Sequence, residues 1–181
     1  MTSTKNTVQS SLATLAVEFF QQSIGNWKSQ RRYYTLKNGE AQEVVSLIQI
    51  QFLAQGSNEL IELAKLHQFD DTLALVGGSK VTWESNYTGK NRKPTVGETV
   101  FGVSKDSNTL YRDRGFATPE PVTAKYYFSN PKTMCLRTEY DGSVFEEELK
   151  LIGDLYRTRQ TIISRAGEEI MIGQYLEKRV D

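Results

Sequence analysis

Charge placed at every second position beside hydrocarbon is the feature that most narrows what this chain can fold into. In residues 145–163, FEEELKLIGDLYRTRQTII, two runs with a period of two flank Ile152-Gly153-Asp154, the pattern of a β-hairpin with a three-residue loop. Successive side chains of a strand point to opposite faces, so Phe145, Glu147, Leu149 and Leu151 share one face, and Glu146, Glu148 and Lys150 the other. The apolar face is the inner one, and it carries Glu147 with it. If Leu151 pairs with Leu155, Glu147 comes opposite Arg159 and Leu149 opposite Arg157, which puts both arginines inside as well. Isolated charges are costly to bury, so two arginines and one carboxylate predict an interior that takes up an anion or water. A register different by one residue would instead turn all three outward as a surface ion pair, and the spacing alone leaves both arrangements open.

The rest of the chain keeps the same rhythm. Ser11 to Ser23 places Leu12, Leu15, Ala16, Phe19 and Phe20 at the spacing of an amphipathic helix, and Gly25-Asn26-Trp27 follows it directly. An indole at that point suits a barrel whose lower end is closed by a ring packed beneath it. Strands are predicted over Lys28–Leu36 and Glu43–Phe52, joined at Asn38-Gly39, and a short helix over Ser57–Leu66. Alternation returns at Leu73. Val81, Trp83, Ser85 and Tyr87 share a face; so do Val122, Ala124, Tyr126 and Phe128. Further strands are expected over Val96–Val103, Thr109–Arg112, Thr133–Tyr140 and Glu169–Arg179, the last with Tyr175, Glu177 and Arg179 on one side. About eight to ten antiparallel strands with two helices favour a closed barrel holding one small ligand. Residues 11–181 are expected to form this single domain, behind a disordered leader of residues 1–10.

The 181 residues carry 22 basic and 22 acidic side chains, a balance that argues against a general electrostatic grip on nucleic acid or on an anionic membrane. No apolar run is long enough for a membrane span, and MTSTKNTVQSS lacks the apolar core of a signal peptide, so a cytosolic location is expected. One cysteine, Cys135, and one histidine, His67, provide no cluster with metal-ligand spacing, and no metal site is expected. Cys135 in TMCLRTEY suits a core-filling thiol, and His67 suits the C-terminal dipole of the short helix.

Candidate binding residues are therefore Arg157 and Arg159 with Trp83, Tyr87 and Tyr126. Flat rings beside guanidiniums fit an extended conjugated molecule with carboxylate tails, although aromatics also serve as barrel filler. Glu147 and Glu177 are the candidate catalytic carboxylates, able to hydrogen-bond or protonate such a ligand. For Glu177 the spacing alone favours an exposed structural carboxylate.

Several motifs together resemble one family. FQQSIGNWKSQRRYYTL at 20–36, the Gly115–Thr123 connection, Arg137-Thr138-Glu139-Tyr140, Glu146-Glu147 and Arg157-x-Arg159 are similar, in order and spacing, to the S-type phycobiliprotein lyases of the CpcS/CpeS family, over nearly the whole chain. The resemblance implies a lipocalin-like or fatty-acid-binding-protein-like barrel. It also implies a lyase that binds an open-chain bilin, phycocyanobilin or phycoerythrobilin, as substrate with no permanently bound cofactor. The pigment is delivered to a cysteine of a phycobiliprotein subunit, the β-subunit being expected, for the phycobilisome of a photosynthetic cyanobacterium or an algal plastid. On this resemblance Arg157 and Arg159 hold the propionates, Glu147 and Glu177 meet the pyrrole nitrogens or donate a proton, and Trp83 is a pocket aromatic. Tyr33-Tyr34 stand where many members have a histidine, Tyr87 where a second tryptophan is common, and Lys150-Leu151 where Trp-Phe is common. These departures are similar to the less typical, CpcU-like subunit of a heterodimeric lyase, so a homodimer and a heterodimer with a related subunit both stand as expectations. The alternatives are a non-enzymatic carrier of a fatty acid or other apolar carboxylate, and a non-catalytic assembly partner.

Overall fold

The alternating runs pair in sequence order until the last meets the first. In the computed structural model, which describes residues 11–89 and 91–181, ten antiparallel strands form a closed barrel: β1 (Gly25–Thr35), β2 (Ala41–Ala54), β3 (Leu75–Tyr87), β4 (Thr95–Ser104), β5 (Thr109–Arg112), β6 (Val122–Asn130), β7 (Thr133–Tyr140), β8 (Ser143–Ile152), β9 (Tyr156–Arg165) and β10 (Glu168–Val180). Each pairs with its neighbour in the chain, and β1 pairs with β10, so no strand edge is left open. The expected leader, Met1–Ser10, lies outside the described residues. No helix among the described residues is long and apolar enough to cross a membrane.

The helix α1 (Leu12–Gln22) begins at an N-cap, Ser11, whose hydroxyl accepts from the Thr14 amide, and it turns Ala13, Ala16, Phe19 and Phe20 into the lower end of the barrel. Trp27, two residues into β1, is wholly buried there, and its indole Nε1 donates to the Ser23 carbonyl at 2.9 Å. The guanidiniums of Arg157 and Arg179 lie over its ring, at 5.2 and 4.3 Å from the centroid. Arg179 also donates to the carbonyls of Asp154, Gln22 and Ile24, tying the last strand to the end of α1 and to the β8–β9 loop. A ring beneath the barrel is thus present as expected, held by cations as well as by hydrocarbon.

The second helix, α2 (Asn58–Leu66), packs outside the barrel, where Leu60, Leu63 and Ala64 join Leu53 and Leu75 in a separate apolar cluster. Two adjacent glycines of β3 let both helices approach. A Cβ on Gly77 would meet Val17 of α1 at 2.7 Å, and one on Gly78 would meet the Phe101 carbonyl oxygen at 2.0 Å and Leu60 of α2 at 2.7 Å.

The β8–β9 hairpin carries the main correction to the expected geometry. Its loop is Gly153-Asp154-Leu155, with Gly153 at φ 57°, and Ile152 pairs with Tyr156. Leu151 is therefore opposite Arg157, Leu149 opposite Arg159, and Glu147 opposite Thr161. The ladder is two residues away from the expected register. Because side chains repeat every two residues, an even shift keeps every one on its predicted face, and Glu147, Arg157 and Arg159 all point inward.

The contact at Gly78 is with backbone, which cannot swing aside. Gly78→Ala is expected to cost about 3 kcal/mol, the upper part of the range for overpacking, and a urea unfolding curve against the parent protein checks it.

Candidate functional site

A cavity of ≈ 530 Å³ runs up the inside of the barrel from α1, within the range of small-molecule sites. Phe19 and Phe20 form its floor, and Ile48, Ile50, Val81, Met134 and Leu149 supply apolar wall. Into this hydrocarbon the strands project Arg31, Arg112, Arg157 and Arg159, with the exposed Arg114 at the mouth. Glu147 stands in the same wall and Glu177 behind it, so the interior carries an excess of positive charge.

Two nested ion pairs organise this charge. Cross-strand pairing of β9 with β10 sets Arg157 directly opposite Glu177, and Arg157 Nε donates to Glu177 Oε1 at 2.9 Å while Nη2 stands in ion-pair contact with the same oxygen at 2.8 Å. Arg157 is 5% exposed and Glu177 0%, so the carboxylate expected at the surface is instead the most deeply buried charge of the site. It does not line the cavity but stands behind Arg157. Higher in the wall, Arg159 Nε and Nη2 both donate to Glu147 Oε2, at 2.9 and 2.5 Å, which leaves Glu147 Oε1 unused by Arg159. The Arg159 guanidinium also lies 4.9 Å from the centroid of Tyr175, its cross-strand partner. Arg31 covers the same ring at 5.3 Å, and the Tyr175 hydroxyl donates to Tyr33 at 3.2 Å.

The electrostatics follow from this packing. Burial opposes the charge on Arg159, but Glu147, Tyr175 and Glu177 outweigh it and hold the guanidinium protonated above its ordinary value. Burial by itself would raise the Glu177 carboxyl; Arg157 and Arg159 more than reverse this, so it lies below the usual carboxylate range. Burial also pushes the Tyr175 phenol up.

Of the residues marked in the sequence, the structure brings Trp83, Glu147, Arg157 and Arg159 together around the cavity. Trp83 lies across β4, where a Cβ on Gly97 would meet its ring at 2.5 Å. Tyr87 and Tyr126 fall outside the cavity lining. Tyr87 is the last residue of β3, with the Arg92 guanidinium 5.2 Å over its ring. Tyr126 is filler in the core beside Phe128, with its phenol pushed up to about 12 by burial. Arg112 was missed. Its strand is four residues long, too short for alternation to declare a face, although its spacing from the cavity-lining Leu110 carries that signal.

These features define a class: a closed antiparallel barrel, lipocalin-like in architecture, with an aromatic-floored and positively charged cavity for one small ligand. The chain belongs to the CpeS-like family, whose model matches residues 16–180. It is 62% identical over 164 residues to a Nostoc sp. protein named "Putative phycocyanobilin lyase CpcS 2", an alignment covering 91% of this chain and 90% of that one. It is 32% identical over 158 residues to the "Phycocyanobilin lyase subunit CpcS" of a Picosynechococcus sp., covering 84% and 79%. The solved structure of an S-type phycobiliprotein lyase from Guillardia theta superposes with a TM-score of 0.78 over 92% of this chain and 93% of that one, at 24% identity, and shares the fold.

A carboxyl held below its unfolded value contributes stability that is complete above the usual carboxylate pKa of 4.5 and is lost as pH falls through the lower folded value. Removing that carboxylate strands a buried guanidinium. Glu177→Gln is therefore expected to cost about 3–5 kcal/mol near neutral pH and to flatten the fall in stability below pH 4.5, both read from urea unfolding across that range.

Proposed function

We propose that the protein is a chromophore lyase that takes an open-chain bilin into the barrel and delivers it to a cysteine of a phycobiliprotein subunit. The observation that carries this reading is the cationic excess of an otherwise apolar, aromatic cavity, which suits a conjugated tetrapyrrole bearing two carboxylates. The names carried by its relatives point the same way.

Arg159 receives a propionate at the cavity wall, with Arg157 below it. Glu147, held in place by Arg159 through Oε2, turns Oε1 toward the pyrrole nitrogens, where the carboxylate accepts from an N–H and the protonated carboxyl can donate to the ring nitrogen that lacks one. Glu177 acts through Arg157 as a positioning residue. Trp83 supplies a flat wall for the pigment. The chemistry asks for no nucleophile of the barrel's own. The acceptor thiol adds across the ethylidene double bond, its sulfur bonding the exocyclic carbon and its proton passing to the adjacent ring carbon, with nothing released. What the barrel contributes is orientation, exclusion of water and a carboxylate beside the conjugated system. Phycocyanobilin is the proposed pigment and a β-subunit the proposed acceptor, in the cyanobacterial cytosol. The chain acts as a homodimer or with a related lyase subunit.

Mixing with phycocyanobilin is expected to give a red-shifted visible band. Addition of an apo-phycobiliprotein β-subunit should then leave covalent pigment on that subunit above a lyase-free control, seen by zinc-enhanced fluorescence on a denaturing gel. Absence of the band, with or without a related subunit, would reject the reading, and displacement of a fluorescent fatty-acid probe would then favour a lipid carrier. Arg159→Ala is expected to weaken pigment binding by about 1.5–3 kcal/mol, the loss of a charged hydrogen bond, in an absorbance titration of a variant whose melt is first compared with the parent's.

A further inference from the structure

Among the described residues, three arginines that line the cavity have no carboxylate partner, Arg31, Arg112 and Arg114, and of these only Arg112 is buried. Arg112, the last residue of β5, is 7% exposed and lines the cavity. Arg157 and Arg159 each hold a carboxylate, but among the described residues none lies within ion-pair distance of Arg112, and its Nε makes no hydrogen bond. Two acids close by, Glu147 of the cavity lining and Asp113, are committed elsewhere. Glu147 is bound by Arg159, and Asp113, next in the chain, turns to β4, where its Oδ1 accepts from Thr99 Oγ1 at 2.8 Å and from the Val100 amide at 3.0 Å.

A buried guanidinium without a partner is costly, yet this one is held firmly. Its carbonyl accepts from His67 Nε2 at 2.8 Å, which anchors it to the end of α2. Its guanidinium lies over Phe101 at 4.8 Å and over Phe116 at 4.6 Å. Phe116 is itself stacked on Phe145 with centroids 4.4 Å apart. The fold thus pays to hold a charged fork ready at the wall, in a planar geometry that suits a carboxylate.

We propose that Arg112 is a carboxylate socket of the cavity, separate from the Arg159–Glu147 wall, and that it seats one propionate of the bilin. This rests on the bilin reading above and adds the residue that decides how the second carboxylate is placed. The β5–β6 connection carrying Phe116 then lies against that end of the pigment.

The test is an absorbance titration of the parent protein, Arg112→Gln and Arg112→Lys with phycocyanobilin and with its dimethyl ester, alongside thermal melts. Arg112→Gln is expected to bind the free acid about 10- to 100-fold more weakly, to bind the ester as the parent does, and to melt no lower than the parent. Arg112→Lys is expected to recover part of the loss for the acid alone. Equal weakening toward acid and ester, or unchanged affinity for the acid, would each overturn the assignment. A parent protein that binds neither form would overturn the bilin reading, and the socket with it. Should Arg112→Gln not fold, the lysine variant decides: a loss confined to the free acid supports the socket, and an equal loss for both forms rejects it.

Discussion

A carboxylate with no exposed surface stands in the wall of this barrel only because a guanidinium faces it across the ladder, and that requirement shapes three strands. Burying either Arg157 or Glu177 alone would cost more than the surrounding packing returns, whereas in the pair Arg157 meets Glu177 Oε1 at 2.8–2.9 Å, with Oε2 left without a partner among the described residues. The same holds one step higher for Arg159 and Glu147. A slip of one residue between β9 and β10 would send Arg157 to solvent and leave Glu177 stranded. A slip of two would keep every side chain on its face but part the pairs. Hydrophobic alternation is indifferent to the second kind of error; the ion pairs are not.

The lower end obeys a related rule. Trp27 closes the barrel, but it does so under two guanidiniums and with its own N–H satisfied by the end of α1. Arg179 meanwhile gathers carbonyls from α1 and from the β8–β9 loop. The indole is therefore a junction at which the first strand, the last strand and the N-terminal helix are fixed together. Gly77 and Gly78 make the complementary concession on β3, giving up side chains so that one helix can press from within and another from outside. With α1 across its floor, the cavity has its charged groups on the walls and its mouth at the opposite end.

Function in such a site comes from what the protein leaves unsatisfied. Paired charges give a rigid wall; unpaired ones attract a ligand of opposite sign. The cavity holds both kinds, and the difference separates groups that shape it, such as Glu177 and its partner Arg157, from a group free to meet an anion, such as Arg112. A bilin is flexible and doubly anionic, and a reaction that needs no catalytic nucleophile depends chiefly on fixing such a molecule in one pose. Membership of the CpeS-like family and the positive charge of the cavity are the two observations on which the proposed bilin reading rests.

Much of this was legible in the residue order. The period of two assigned Glu147, Arg157, Arg159 and Trp83 to the inner face, and the helical spacing of Leu12 to Phe20 placed a helix ahead of Trp27. Tyr126 shows where such reading stops. Its inward direction was right, but alternation reports a face and not a height, and at its height the barrel is filled by neighbouring side chains. Glu177 looked like a surface group because its partner lies twenty residues away on another strand, and Arg112 sat on a strand too short to show a pattern. The sequence by itself determined a closed antiparallel barrel with charge turned inward, because a two-residue repeat selects one face along every strand. Only the tertiary structure decided which charges meet and which stay free. All registers of the same parity look alike along a single strand, and they differ only in the contacts made between strands.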